Sequence, residues 1–212
     1  AWPTNGDEWY LRKTPGMYPD LLADLQPFWL NMGETRALWL DIRIPDDQPA
    51  GTYTVTVRLT NGESTAEASL TVTVLAAQLG AQTLMCTQWF HSDCLADYYG
   101  AEVFSEKYWA ITARFMRALA DSGSNMILTP IFTPPLDTEI GGERTTVQLI
   151  DVTLHADGSY AFGFDRLRRW IDTAESNGLR YFEISHLFTQ WGAEAAPKVM
   201  AHTPDGDRRI FG

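Results

Sequence analysis

Basic side chains are scarce. Sixteen Lys and Arg stand against twenty-seven Asp and Glu in 212 residues, a net charge of −11. A nucleic-acid partner is excluded on those terms, because each phosphate contact normally takes a Lys or Arg and the summed field repels a polyanion. An anionic membrane surface is disfavoured by the same argument. Long apolar runs are missing as well: no stretch approaches the roughly 20 residues of a bilayer span, and no basic segment leads into an apolar one as in a signal peptide. The compartment stays open between cytoplasm and export. Cysteine is nearly absent, with only Cys86 and Cys94. Two thiols make no disulfide framework and are read as unpaired. His91 lies between them, but a structural zinc needs a fourth ligand at a sensible spacing. None stands out, so no metal and no cofactor are expected. Also missing are internal repeats, low-complexity tracts, nucleophile elbows and phosphate-binding glycine loops. Gly141-Gly142 lies in a polar loop with no Gly-Lys after it, which removes nucleotide chemistry.

Aromatic side chains, by contrast, are plentiful. Eight Trp and eight Tyr, within a 45% hydrophobic composition, supply material for packed cores. They also suit a neutral, polar ligand with apolar faces, since aromatic rings stack well on such faces. A neutral ligand such as a sugar is compatible with both the charge and the aromatics, although most Trp side chains in any protein belong to its core.

Along the chain, the first 26 residues are rich in Pro and Gly and read as a loop. Leu38, Leu40, Ile42 and Ile44 alternate with Trp39, Asp41 and Arg43 up to Pro45, which predicts a half-buried strand. Alternation resumes through Tyr53, Val55, Val57 and Leu59, reaches Asn61-Gly62, and returns through Leu70, Val72 and Val74. Asn-Gly between β-rich runs predicts a hairpin. Three strands with one oily face require a covering layer. None is visible nearby, so further sandwich strands are expected upstream and the chain is read as clipped at both ends.

After a linker at 75–80, residues 83–90 predict a strand running into Trp89, His91 and Asp93. Ser105 predicts the cap of a helix over 106–122, with Trp109, Phe115, Met116 and Leu119 at helical spacing and Gly123 as its stop. Residues 125–131 predict a buried strand. Residues 147–154 and 159–164 predict a hairpin around Ala156-Asp157-Gly158. Asp165 predicts the cap of a helix to Asn177 that stops at Gly178. The strand of 179–185 follows, with Phe182 and Ile184 on one face and Tyr181, Glu183 and Ser185 on the other. Helix, Gly, strand is one step of a parallel α/β arrangement, and the polar turn at 203–207 predicts a last hairpin.

In parallel α/β folds the chemistry lies beyond the carboxyl ends of the strands. There this chain places His186, Thr189, Gln190 and Trp191: an imidazole, two hydrogen-bonding groups and an aromatic platform. Trp89, His91 and Asp93 follow the first such strand, and residues after strands of one barrel converge on a common rim. The candidate substrate-binding set is therefore His186, Gln190, Trp191, Trp89, His91 and Asp93. Each has a structural counter-reading: a histidine tied to a backbone carbonyl, a Trp plugging the interior, an Asp-turn. Glu183 is the one acid within its strand, and a catalytic role would need a partner carboxylate roughly 5–10 Å away. No partner can be named. Asp7-Glu8 and Asp46-Asp47 are adjacent pairs in a loop and a turn.

The segment from Ser185 to Met200, SHLFTQWGAEAAPKVM, and Arg208 to Gly212, RRIFG, together with YPD at 18–20 and PAGTYTVTV at 49–57, resemble bacterial glycoside hydrolase 123-type proteins through nearly the whole chain. The resemblance implies an α+β multidomain chain: an immunoglobulin-like β-sandwich portion over 1–77, truncated at its N-terminus, then the first βα units of a (β/α)8 TIM-like barrel over 78–212. It implies hydrolysis of terminal β-linked N-acetylgalactosamine, or a related hexosamine in a glycan or glycoconjugate, by substrate-assisted retaining catalysis. The adjacent Asp-Glu pair that performs it is expected on a later strand, beyond this chain, so no catalytic residue is assigned within it. The competing class is a non-catalytic carbohydrate-binding or adhesion module, and the two separate on whether further βα units and that acid pair follow.

Overall fold

The computed structural model describes residues 22–80, 82–135, 142–188 and 196–211. The chain divides into two compact units, residues 1–80 and 81–212.

In the first unit, β1 (Gly51–Thr60) and β2 (Thr65–Val74) form an antiparallel ribbon in unbroken register from Gly51 opposite Val74 to Thr60 opposite Thr65. Asn61 closes the turn: its Oδ1 accepts from the backbone N–H of Glu63 at 3.0 Å and of Ser64 at 2.8 Å, while Gly62 takes φ +91°, a conformation that penalises a Cβ. The strand expected over 38–44 is absent. That segment is irregular, and Leu38, Leu40, Ile42 and Ile44 are all exposed. Alternating polarity marks a face but supplies no partner edge, and a strand needs one to satisfy its N–H and C=O groups. What stands among the described residues is a two-stranded ribbon, and the β-sandwich expectation is corrected accordingly.

The second unit is a small mixed α+β body. Its described helices are α1 (Ser92–Tyr99), α2 (Glu106–Asp121) and α3 (Asp165–Ser176). β3 (Met126–Thr129) pairs in parallel with β6 (Tyr181–Ile184). A separate sheet holds β4 (Asp151–Leu154), β5 (Tyr160–Gly163), β7 (Val199–Thr203) and β8 (Gly206–Phe211) in the order β5-β4-β7-β8. No closed barrel forms among the described residues, so the expected start of a TIM-like barrel is corrected too. The chain leaves β6 for a different sheet, where β7 runs parallel to β4. The expected strand 83–90 shrinks to a single parallel bridge between Thr87 and Met126.

A side chain replaces the missing ladder there. Asn125, 8% exposed, accepts from the Cys86 N–H at 2.8 Å and donates to the Leu84 carbonyl at 2.9 Å, while the Asn125 and Met126 N–H groups both donate to the Cys86 carbonyl. Asn125→Ala therefore orphans two backbone groups of the segment that leads to Trp89. A loss of about 2–3 kcal/mol in chemical denaturation is expected, with faster amide exchange at Cys86; a loss under about 0.5 kcal/mol contradicts the tethering.

Ser105 caps α2 by accepting from the Tyr108 N–H at 3.2 Å, as its position predicts. Asp165 does not cap α3: the backbone cap is Phe164, and Asp165 sits in the first turn, where its charge suits the helix dipole and pairs with Arg168 at 3.0 Å. α2 and α3 pack their buried faces on the β3–β6 ribbon around Trp109, Met116, Ile127, Trp170 and Leu179. Gly178 is needed where α3 turns into β6: it has φ +95°, and a Cβ there would lie 3.2 Å from the Ala120 Cβ.

Tyr108, 1% exposed, buries its hydroxyl near those of Ser92 and Thr112. Burial pushes its pKa up to about 12, against a weaker downward pull from the two hydroxyls. None of the three meets hydrogen-bond geometry with a partner, so desolvation governs. The folded pKa lies above the unfolded value of 10.0. The contribution to stability is thus complete below pH 10 and is lost as pH rises towards 12. Tyr108→Phe is expected to leave stability at pH 7 unchanged or slightly raised, and to remove about 2 kcal/mol of the loss reached by pH 11.5. Denaturation curves at pH 7 and pH 11.5 check this; an unaltered alkaline limb contradicts it.

Candidate functional site

Thr87, β3 and β6 run parallel, so their carboxyl ends lie on one side. Side chains alternate across them. Phe90, Ile127 and Phe182 face the helices and join the main core. On the other face are Thr87, Trp89 and Glu183. The Glu183 carboxylate, half-buried, accepts from the Trp89 indole N–H at 2.7 Å, with the Thr87 hydroxyl at 3.5 Å from the same oxygen. Trp89 remains 44% exposed. Its ring meets that of His186 edge-on, with centroids 5.8 Å apart and planes at 75°.

Ser185 explains why His186 emerges there. It is 2% exposed, its N–H donates to the Thr129 carbonyl at 3.0 Å, and its hydroxyl donates to the Phe132 carbonyl at 3.2 Å. The end of β6 is thus bolted to the end of β3, and the next residue, His186, projects exposed beside Trp89. Strand alternation places Ser185 on the polar face, but its burial comes from those two carbonyls. Ile184, expected on the oily face, is 53% exposed.

The other expected site residues are placed differently. His91 is half-buried at the start of α1 and borders a water-sized cavity of about 10 Å³ with Phe90, Leu128, Pro130 and Pro134. A sugar ring does not fit there. Asp93 is buried, accepting from Arg144 Nε at 2.7 Å and Nη2 at 3.2 Å. Arg144 also approaches the Cys94 sulfur at 3.2 Å. Burial pulls the Arg144 pKa down, but the hydrogen bonds and charge of Asp93 outweigh it and leave the pKa raised. Gln190 and Trp191, with Thr189, lie outside the described residues, as does YPD at 18–20. Cys86 and Cys94 are unpaired thiols, and among the described residues no three His, Cys, Asp or Glu side chains gather as metal ligands.

The structure therefore brings Trp89 and His186 together and adds Glu183, which holds the Trp89 indole, with Thr87 beside that carboxylate. Sequence reasoning did place Glu183 on the polar face of its strand; its partner indole comes from a segment that only the parallel pairing brings near. Arg144 had no signal, since an Arg in a polar loop gives no hint of a buried carboxylate elsewhere in the chain.

What this arrangement offers chemically is a half-exposed indole held at one edge by a carboxylate, with an imidazole alongside. An apolar ring face beside hydrogen-bonding groups is what a pyranose presents a need for. Comparison with known proteins gives the fold and the family. Curated protein sequences hold no match to the chain. A solved structure of a family 123 glycoside hydrolase from Clostridium perfringens, described for glycolipid glycan hydrolysis, is similar in fold, with a TM-score of 0.60 at 14% identity. The likeness covers 81% of this chain and 31% of that one, so the chain spans about a third of that protein's length. The model of the glycoside hydrolase 123 catalytic domain matches residues 89–211. That match runs from the indole at the site to the last residue of β8, more than half of the chain, and the chain belongs to the glycoside hydrolase 123 family.

Proposed function

We propose that the Trp89–His186 corner is part of the sugar-binding floor of a glycoside hydrolase acting on terminal β-linked N-acetylgalactosamine or a related hexosamine. The observation that carries the reading is the exposed indole of Trp89 set edge-on to His186 where parallel strands end, in a chain of this family. Trp89 supplies the stacking face and His186 a hydrogen-bonding group for a ring hydroxyl or the acetamido group. Gln190 and Trp191, four and five positions after His186 in sequence, belong to the same proposed set of sugar contacts. Asp93 braces the neighbouring loop, because it already accepts two bonds from Arg144. The chemistry proposed for the whole protein is substrate-assisted and retaining, the substrate's own acetamido group taking the place of an enzyme nucleophile. None of the residues described in this corner is assigned as its acid. The net charge of −11 favours neutral glycans.

The test is a titration of the protein with methyl N-acetyl-β-D-galactosaminide, followed by saturation-transfer NMR and by the indole N–H resonances. Saturable binding that perturbs the Trp89 indole supports the reading. Binding that leaves that resonance untouched, or no binding at millimolar sugar, overturns it.

A further inference from the structure

Glu183 is the unassigned residue in this corner. Trp89 is 44% exposed, so packing alone does not fix its ring, and an exposed aromatic side chain samples several rotamers. Its strongest polar restraint is the 2.7 Å hydrogen bond from its indole N–H to Glu183 Oε2. That bond is charge-assisted and short for its class. Glu183 is itself fixed, since it lies on β6 in register with Leu128 of β3 and the same oxygen lies 3.5 Å from the Thr87 hydroxyl. Leu128 is 2% exposed, so the carboxylate reaches across a buried strand to the indole. The indole is thereby held where its ring meets His186 at 75°.

We propose that Glu183 is a positioning residue: it clamps the Trp89 indole in the orientation that presents its ring face to the sugar, and acts on binding through Trp89. This rests on the sugar-floor reading above and extends it to a residue that touches the indole. A ring held before binding leaves less rotamer freedom to be lost when the sugar arrives, so affinity rises without any new contact to the ligand.

The experiment uses nitrogen-15-labelled protein, the Trp89 indole N–H resonance identified by its loss in Trp89→Phe, and methyl N-acetyl-β-D-galactosaminide as probe. In Glu183→Leu the resonance is expected to move upfield, its exchange with water to quicken about tenfold, and Kd to rise about tenfold. Glu183→Gln returns a neutral acceptor oxygen and is expected to restore the bond in weaker form, with a shifted indole resonance and Kd about threefold above wild type, the difference between neutral and charge-assisted bonds. If Glu183→Leu leaves both the resonance and Kd unchanged while Trp89→Ala abolishes binding, the clamp is overturned and the sugar floor stands. If Trp89→Ala also leaves Kd unchanged, the floor falls and the clamp with it. Should Glu183→Leu not fold, Glu183→Gln decides alone: a shifted indole and a Kd raised about threefold support the clamp, and wild-type values for both overturn it.

Discussion

Trp89→Ala is expected to weaken binding of methyl N-acetyl-β-D-galactosaminide by at least about tenfold, ~1.4 kcal/mol, while leaving the fold in place. Both halves follow from where the side chain sits. The ring is 44% exposed, so truncation opens no cavity in the main core, and the Glu183 carboxylate it leaves behind is half-exposed and can be rehydrated. A stability change under about 1 kcal/mol is therefore expected, as for other surface positions. Affinity is different, because a large rigid aromatic surface at the centre of a small site carries a disproportionate share of binding. Trp89→Phe keeps a ring but loses the N–H, so it should fall between wild type and Ala. Calorimetric titration together with thermal melts separates the two effects, and an unchanged Kd in a folded Trp89→Ala removes the indole from the site.

The largest effect on stability is expected at Asp93 and Arg144. Their side chains are 4% and 13% exposed, and they meet at 2.7 Å. Removing one partner of a buried pair strands the other charge, a loss of about 3–5 kcal/mol. Asp93→Asn and Arg144→Met should each lower the free energy of unfolding in urea by an amount in that range. The double change Asp93→Asn with Arg144→Met should cost clearly less than the two single losses added, since neither charge is then left alone. Simple additivity in that cycle contradicts the pairing. The same variants bear on function: Asp93→Asn should leave Kd for the sugar unchanged in the folded fraction. A tenfold loss there, by the same thermodynamic scale, returns Asp93 to the ligand contacts.

How far the sequence could be read follows from which interactions are local. The hairpins around Asn61-Gly62, Ala156-Asp157-Gly158 and Thr203 to Gly206 were all legible, because turn chemistry acts over a few residues. Ser105 and Gly178 announced the start of α2 and the end of α3 for the same reason. Residues 38–44 alternate as clearly as β1 and residues 83–90 read as a strand, yet one has no strand partner and the other a single bridge. A periodic pattern records which face is apolar; whether an edge exists to receive it is a non-local fact. α1 was missed because its eight residues, Ser92–Tyr99, carry a weak apolar stripe and no capping hydrogen bond from His91. At the candidate site, convergence of Trp89 and His186 was foreseeable from strand ends meeting on one rim. The bond from the Trp89 indole to Glu183 and the Arg144 that captures Asp93 depend on contacts that no local pattern encodes.

The central claim is that a sugar rests on the Trp89 ring beside His186. Crystals of the protein soaked in N-acetylgalactosamine test it most directly. The account predicts a pyranose with its apolar face about 4 Å from the indole plane, a polar group within hydrogen-bond reach of His186, and the Trp89–Glu183 bond intact. A sugar bound elsewhere on the chain, with the Trp89–His186 corner unoccupied at the same concentration, would contradict it.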